Sequence, residues 1–288
     1  MNKPVVSVII PVYNRPAKAV RAIRSVLGQS YDDFEVIIVD DGSGPAFELP
    51  EKIREKSRVS IVRLEHNQGP SAARNAGAGA ARGKWLAWLD SDDVWHSDKL
   101  ARQMAWLNGA GGRGKDVALA TGFEYVDKAG HRDRRTPVAS SDPLMFFSGC
   151  WFCPGSTVIL SRSLFERIGP YDESLRRLED LDWFARMSLA GGRLEVVADN
   201  LATIRTGQKA PYKKVRKAGE RLLAKYSGDA IELPSKALSN LRAYLHLEYG
   251  ASALKREHKH LLGLGHLAAS WALRPRTSLH LHDFWKGP

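Results

Sequence analysis

The chain has 288 residues, of which 43% are hydrophobic and 26% charged, and its formal net charge is +11. This length suits one large α/β domain with an appendage, or two small domains, and the apolar share excludes a wholly disordered chain. The charge is uneven: residues 207–288 hold 15 Lys/Arg against 6 Asp/Glu, while residues 1–206 hold 28 against 26, so a near-neutral body carries a basic tail suited to an anionic surface.

The predicted elements begin at once. Residues 5–13, Val-Val-Ser-Val-Ile-Ile-Pro-Val-Tyr, form an apolar β-branched run that reads as a buried parallel strand. A helix follows from about Pro16 to Leu27, with Val20, Ile23, Val26 and Leu27 on one face. Phe34 to Val39 is a second buried strand ending at Asp40-Asp41-Gly42-Ser43, a further helix lies near 46–56, and Val59 to Leu64 is a third strand. Pro70 to Arg82 is an Ala-rich helix whose Gly77, Gly79 and Gly83 permit close packing, and Trp85 to Leu89 is the fourth strand. Such an alternation implies right-handed crossovers and a mostly parallel sheet, with ligands outside the carboxyl ends of the strands. Tyr13, Asp41 and Asp90 to Asp93 fall at those ends.

After about residue 115 the pattern changes. Val117 to Tyr125 reads as a strand, with Arg132 to Arg135 in a solvated hairpin end behind it. Ser156 to Leu160 is another strand, Ser163 to Ile168 starts a short helix, Leu178 to Leu189 is a helix, and a strand pair follows near 194–206. Beyond Gly207 three basic helical stretches are expected, at 211–227, 234–249 and 251–273. Cys150 and Cys153 are the two cysteines. They supply half a zinc site with no second pair to complete it, and are expected to be reduced and partly buried. No apolar run approaches the ~20 residues of a membrane span. The N-terminus enters a strand without a leader pattern, so a cytoplasmic protein is expected.

Leu89-Asp90-Ser91-Asp92-Asp93 is the most informative stretch, an apolar strand delivering three carboxylates in four residues. Such a cluster repels itself unless a cation sits in it. Hard divalent ions such as Mg²⁺ and Mn²⁺ take one or two carboxylates together with substrate phosphates. Asp93 is also a candidate cap for the next helix. Elsewhere, the Pro11-Val12-Tyr13 turn can offer backbone groups and a ring to a nucleobase, Asp41 can accept from a base N–H, and Arg74 can present a planar fork to phosphate.

Six segments in order resemble the family 2 glycosyltransferases, inverting enzymes of the GT-A fold: Val6 to Arg15, Ser25 to Glu35 running into Val39 to Ser43, Asn67 to Gly77, Leu89 to Asp93, Phe165 to Leu175, and Leu178-Glu179-Asp180-Leu181-Asp182-Trp183. The resemblance covers about 5–206. It implies a GT-A (Rossmann-like) α/β catalytic domain at 1–206, with a mostly parallel central sheet flanked by helices, and a basic helical extension at 207–288. It also implies a nucleotide-sugar donor, a UDP-sugar being commonest, and a glycan or lipid-linked acceptor in bacterial surface polysaccharide synthesis. Pro11, Tyr13, Asp41, Arg74 and Asp90 would then meet the donor nucleotide. Asp92, with Asp90, would hold Mn²⁺ or Mg²⁺, and Asp180 would be the base that deprotonates the acceptor. Gly155, Ser156, Glu179 and Trp183 would line the sugar or acceptor pocket. One departure stands out: the loop after the last strand, Ile204 to Lys209, lacks the histidine many such enzymes have there. Arg205 or Lys209 could meet the diphosphate instead.

The stretch Ser252 to Leu273 mixes Leu254, Leu261, Leu264 and Trp271 with Lys255, Arg256 and Lys259. Such a helix can lie on an anionic bilayer. It can equally pack on the catalytic domain or on a second copy in a homodimer. Two other classes stay open, an inactive carbohydrate-binding scaffold on the same fold and a nucleic-acid-binding protein. Retained Asp90, Asp92 and Asp180 argue against the first. The second lacks a recognisable module, so no nucleic-acid partner is expected.

Overall fold

The computed structural model describes residues 3–109, 116–150, 154–205, 210–228, 231–275 and 285–286. Its first half alternates as the sequence pattern requires: β1 (Val6–Val12), α1 (Pro16–Leu27), β2 (Phe34–Asp40), a one-turn α2 (Glu51–Arg54), β3 (Val59–Arg63), α3 (Pro70–Ala80) and β4 (Trp85–Trp88). β1 pairs in parallel with β2 and β4, and β2 with β3. Alternate residues of β1 and β2 supply opposite cores. Val8, Ile10, Val36 and Ile38 pack beneath α1, whereas Ile9, Ile37 and Val39 pack beneath α3. Both faces of these strands are therefore apolar, which explains their unbroken hydrophobic runs. Gly77 lets α3 approach, since a Cβ there would lie 2.3 Å from Ile9 Cγ2. Gly79 faces open space and has no such role.

The second half departs from a mostly parallel sheet. β5 (Val94–Trp95) and α4 (Lys99–Asn108) lead to β6 (Val117–Val126) and β7 (Arg132–Pro137). Next come α5 (Pro143–Phe147), a 3₁₀ turn at Gly155–Thr157, β8 (Ile159–Ser161), α6 (Arg162–Ile168), α7 (Glu179–Leu189) and β9 (Arg193–Arg205). β8 joins β4 antiparallel to β6, and β7 extends β6 antiparallel, so Arg132 to Arg135 are strand residues and not a loose hairpin end. The strand pair expected near 194–206 is one strand, β9, parallel to β6. Its register jumps at Gly122, where a Cβ would meet Ala198 O at 2.6 Å. The turn-like Ala198-Asp199 is thus absorbed as a bulge without breaking the strand.

Three helices complete the chain, α8 (Tyr212–Tyr226), α9 (Ala237–Glu257) and α10 (His260–Leu273), with a final two-residue strand, β10 (Trp285–Lys286), on β7. The break between the last two helices falls at His258, which adopts φ 55°, and not at Gly250. Gly250 stays helical because the α10 backbone presses on it, with Gly263 O 3.1 Å from where its Cβ would be. α8 and α9 share a core with the catalytic body, as Val215, Leu222, Tyr226, Leu241 and Tyr244 pack with Phe147, Leu178 and Leu181. A polar stitch reinforces it: buried Asp182 accepts from Tyr226 Oη (3.0 Å) and pairs with Lys225 (2.8 Å) and Arg186 (3.0 Å).

Candidate active site

The strand ends of β1, β2 and β4 open into one cavity of about 1020 Å³, at the upper end of ordinary ligand sites (~300–1,000 Å³). Pro11, Tyr13, Asp41, Arg74, Asp90, Asp92, Glu179 and Asp180 all line it, although up to 169 residues of sequence separate them. Tyr13 is 44% exposed, so its ring is available to a ligand. The loops beside it are clamped together: Asn14 N–H donates to Ser43 Oγ (2.9 Å), and Gly44 N–H donates to Asn14 Oδ1 (3.0 Å).

Asp41 is buried, and its carboxylate accepts from Gln68 N (2.7 Å), Gly69 N (2.9 Å) and Asn67 Nδ2 (3.0 Å). It therefore shapes the 67–69 loop as well as the cavity wall. Burial pushes this carboxyl above its usual range, against the pull of those backbone donors.

Arg74 is the hub of the site. It is 4% exposed, donating from Nη2 to Asp90 Oδ1 (2.9 Å) and from Nη1 to Glu179 Oε1 (2.8 Å), with Asp180 Oδ1 at 4.0 Å. The fork expected to grip phosphate is directed at two carboxylates, because three acids converge on this buried cation. Burial opposes its charge, but Asp180, Asp90 and Glu179 outweigh that and raise its pKa further.

Asp180 stands at the second position of α7, beside Leu178, whose φ of 63° turns the chain sharply into the helix. A leucine there is strained, and such strain persists where packing over-determines it. Its Oδ1 is buried and without a hydrogen-bond partner among the described residues. Burial pushes its carboxyl up to about 7; the Arg74 charge pulls it down, and Glu179 and Asp90 push it up again. A carboxylate poised near neutrality suits a general base.

The Asp-rich turn divides its labour. Asp92 Oδ2 pairs with Arg15 (2.9 Å) and Lys18 (3.6 Å). Asp93 caps no helix; α4 follows Asp98 instead. Asp93 is buried, accepting from Ser156 Oγ (2.6 Å) and Arg205 N (2.9 Å), and burial with Asp90 and Asp92 nearby pushes it up to about 8. Ser156 Oγ also accepts from Asp90 N (3.0 Å). Ser156 is therefore a support beneath the acidic turn, fully buried, and not a pocket wall. Gly155 lies closer to the chemistry, since a Cβ there would come within 3.7 Å of Asp180 Oδ2. Trp183 is also displaced from its expected place: it is fully buried among Phe165, Tyr171 and Phe184, with Nε1 donating to Gly169 O (3.0 Å). Asp180 and Trp183 share a helix face, but Asp180 stands at the mouth of α7 and meets the cavity, while Trp183, one turn deeper, is enclosed by Phe165, Tyr171 and Phe184.

Asp90 and Asp92 each keep one carboxylate oxygen without a protein partner among the described residues. Among the described residues no group of three or more His, Cys, Asp or Glu side chains converges to cage an ion. Two hard donors fit Mg²⁺ or Mn²⁺ if phosphate oxygens and water complete the shell. Arg205 reaches the turn through its backbone only, as far as its hydrogen bonds show, and Lys209 and Cys153 lie outside the described residues. Cys150 is half-buried on the cavity wall.

Sequence reasoning missed the far wall. Arg176, Arg177, Lys214, Lys217 and Arg221 line the cavity, with Tyr244 and Glu248 from α9. Lys214, Lys217 and Arg221 recur at helical spacing beside the apolar Val215, Ala218 and Leu222, a signal that one edge of α8 borders something anionic.

The Glycosyl transferase family 2 profile matches residues 7–169, more than half of the chain. An uncharacterised glycosyltransferase of Rickettsia prowazekii is 35% identical over 188 residues, covering 63% of this chain and 58% of that protein. The succinoglycan biosynthesis protein ExoO of Rhizobium meliloti is 34% identical over 202 residues, covering 67% of this chain and 58% of ExoO. The chain thus spans under two thirds of the length of these curated relatives. Among solved structures, S. aureus TarS 1-349 in complex with UDP superposes with a TM-score of 0.63 at 21% identity, covering 95% of this chain and 82% of that one. The mannosyltransferase PcManGT from Pyrobaculum calidifontis, in complex with GDP-Man and Mn²⁺, gives 0.59 at 19% identity, covering 94% and 76%. At these identities the two structures show a shared fold.

Proposed function

The chain belongs to glycosyltransferase family 2, and from that membership we propose that it moves a sugar from a nucleoside-diphosphate donor to a hydroxyl acceptor with inversion. The observation that carries this reading is the state of Asp180: a carboxylate held near neutral pKa, one oxygen unpartnered, in the same cavity as Tyr13, Asp41, Asp90 and Asp92. Asp180 takes the proton of the acceptor hydroxyl as that oxygen attacks the anomeric carbon. The bond from that carbon to the diphosphate breaks on the opposite face, and the nucleoside diphosphate leaves with the electron pair. Tyr13 and the Asp41 loop receive the nucleoside. A divalent ion held by Asp92 and Asp90 would neutralise the departing diphosphate. Arg74 bridges Asp90 and Glu179 while leaving Asp180 at 4.0 Å, close enough to stabilise the carboxylate without a tight hydrogen bond.

A UDP-sugar is the first donor to test, in keeping with TarS, and a GDP-sugar the second, in keeping with PcManGT. The kinship with ExoO supports a role in polysaccharide assembly. Among the described residues no helix is long and apolar enough to cross a membrane. α10 nonetheless exposes Leu261, Leu264, Ala268 and Trp271 at helical spacing, with Lys259 at its N-terminus and Lys255 and Arg256 in the last turn of α9 just before it. This supports docking on an anionic bilayer bearing a lipid-linked acceptor. A thermal-shift screen of nucleoside diphosphates with Mn²⁺ or Mg²⁺ tests the donor site. One nucleotide should raise the melting temperature in a metal-dependent way, and Asp92→Ala should abolish the shift. No shift with any nucleotide would refute the reading.

A further inference from the structure

The charges around the cleft are not evenly matched. On the strand-end side every cation has an acid: Arg15 pairs with Asp92, and Arg74 with Asp90 and Glu179. On the other side, among the described residues, Arg176 bonds the side-chain amide and the carbonyl of Asn67, with Asp41 in electrostatic reach, and Arg221 bonds the Ser174 carbonyl. Lys214 and Lys217 have no carboxylate partner among the described residues, and the buried Nε of Arg177 is unpartnered. A surface lysine usually needs no partner, because water serves it. Five cations and one acid, Glu248, on one wall of a shared cavity leave an excess of positive charge, with one buried unpaired donor, that a bound anion would offset. This wall adjoins the proton acceptor. Cys150 lies within electrostatic reach of both Asp180 and Glu248, and Glu248 stands on the same wall as the α8 cations.

We propose that the α8 face bearing Lys214, Lys217 and Arg221, with Arg177 beside it, binds an anionic group carried by the acceptor, a phosphate or a carboxylate. This rests on the reading of Asp180 as the base. The acceptor hydroxyl must lie at Asp180, and Arg177, three residues before it, lines the same cavity as the α8 cations, so a charged substituent on the acceptor shares that cavity with this wall. The basic tail then recognises substrate as well as packing on the body, and selects charged acceptors over neutral ones by about tenfold or more, the discrimination a charge-assisted hydrogen bond supplies.

The test uses the full chain saturated with whichever nucleoside diphosphate and divalent ion stabilise it. Glucose 1-phosphate, glucuronate and glucose are titrated by calorimetry into the wild type and the K214E/K217E variant. The expected result is that one or both charged sugars bind at least about tenfold tighter than glucose, and that charge reversal removes this preference while nucleotide affinity changes by less than about twofold. Which charged sugar binds tighter tells phosphate from carboxylate. The proposal is overturned if glucose binds as well as its charged relatives, or if reversal leaves the preference intact. It is equally overturned if reversal weakens the nucleotide as much as the sugar, since the wall would then grip the donor. Failure of any nucleotide to bind the wild type would instead refute the functional reading.

Discussion

The two walls of the cleft are built by different rules. The strand-end wall is a closed electrostatic unit: its acids are held by Arg74, Arg15 and backbone donors, and the carboxylate left loosely held, Asp180, is the one proposed as the base. The helical wall is open, with more cations than acids among its described residues and α8 attached to the body through Asp182 and an apolar seam. A compensated wall is rigid and serves a reaction common to many donors. An uncompensated wall gains its partner only from a ligand, so it is where one chain can differ from another.

The comparison breaks most visibly if the hub is removed. Arg74→Ala leaves Asp90, Glu179 and Asp180 facing one another without a cation, which should cost about 3–5 kcal/mol of stability and eliminate transfer. Arg74→Lys should recover only part of either, since one ammonium cannot span Asp90 and Glu179 as the planar fork does. Chemical denaturation of the two variants checks this. An unchanged midpoint in Arg74→Ala would mean that the acids are not electrostatically coupled.

A smaller effect sharpens the same picture from below. Asp93 has its folded pKa raised to about 8 from an ordinary 3.8. The folded state therefore binds the extra proton between those values, and the stability it contributes is lost as pH rises from about 4 through 8. Asp93→Asn keeps the shape and accepts from Arg205 N, so it should melt at least about 2–4 °C above wild type at pH 8.5, with the gap closing as pH falls toward about 4. A difference of the opposite sign would place the burden of the turn elsewhere.

The parallel strands and the strand-end acids were legible in the sequence because buried β-branched runs leave little choice of structure, and each run ends in a polar cluster. Asp180 was legible by resemblance alone. Its neighbours were not, since the rings of Phe165 and Tyr171 that enclose Trp183 are brought there only by the fold, and no sequence pattern says that Arg74 will meet acids before phosphate. Ser156 and Asp93 found each other across 63 residues, a pairing that only the fold creates. The tail was legible as basic and helical, but its role as a wall was not. Whether a lysine faces water or a cleft depends on where Val215 and Leu222 dock.

The central claim is that Asp180 is the proton acceptor on the rim that holds the donor. The pH profile of transfer, measured for wild type and Asp180→Asn alongside nucleotide affinity, tests it directly. The account predicts a wild-type kcat/KM that rises about tenfold per pH unit and levels off above about 7. It also predicts a variant that binds nucleotide as wild type does but transfers no sugar at any pH. An Asp180→Asn protein that turned over normally, or a wild-type profile flat from pH 5 to 8, would contradict it.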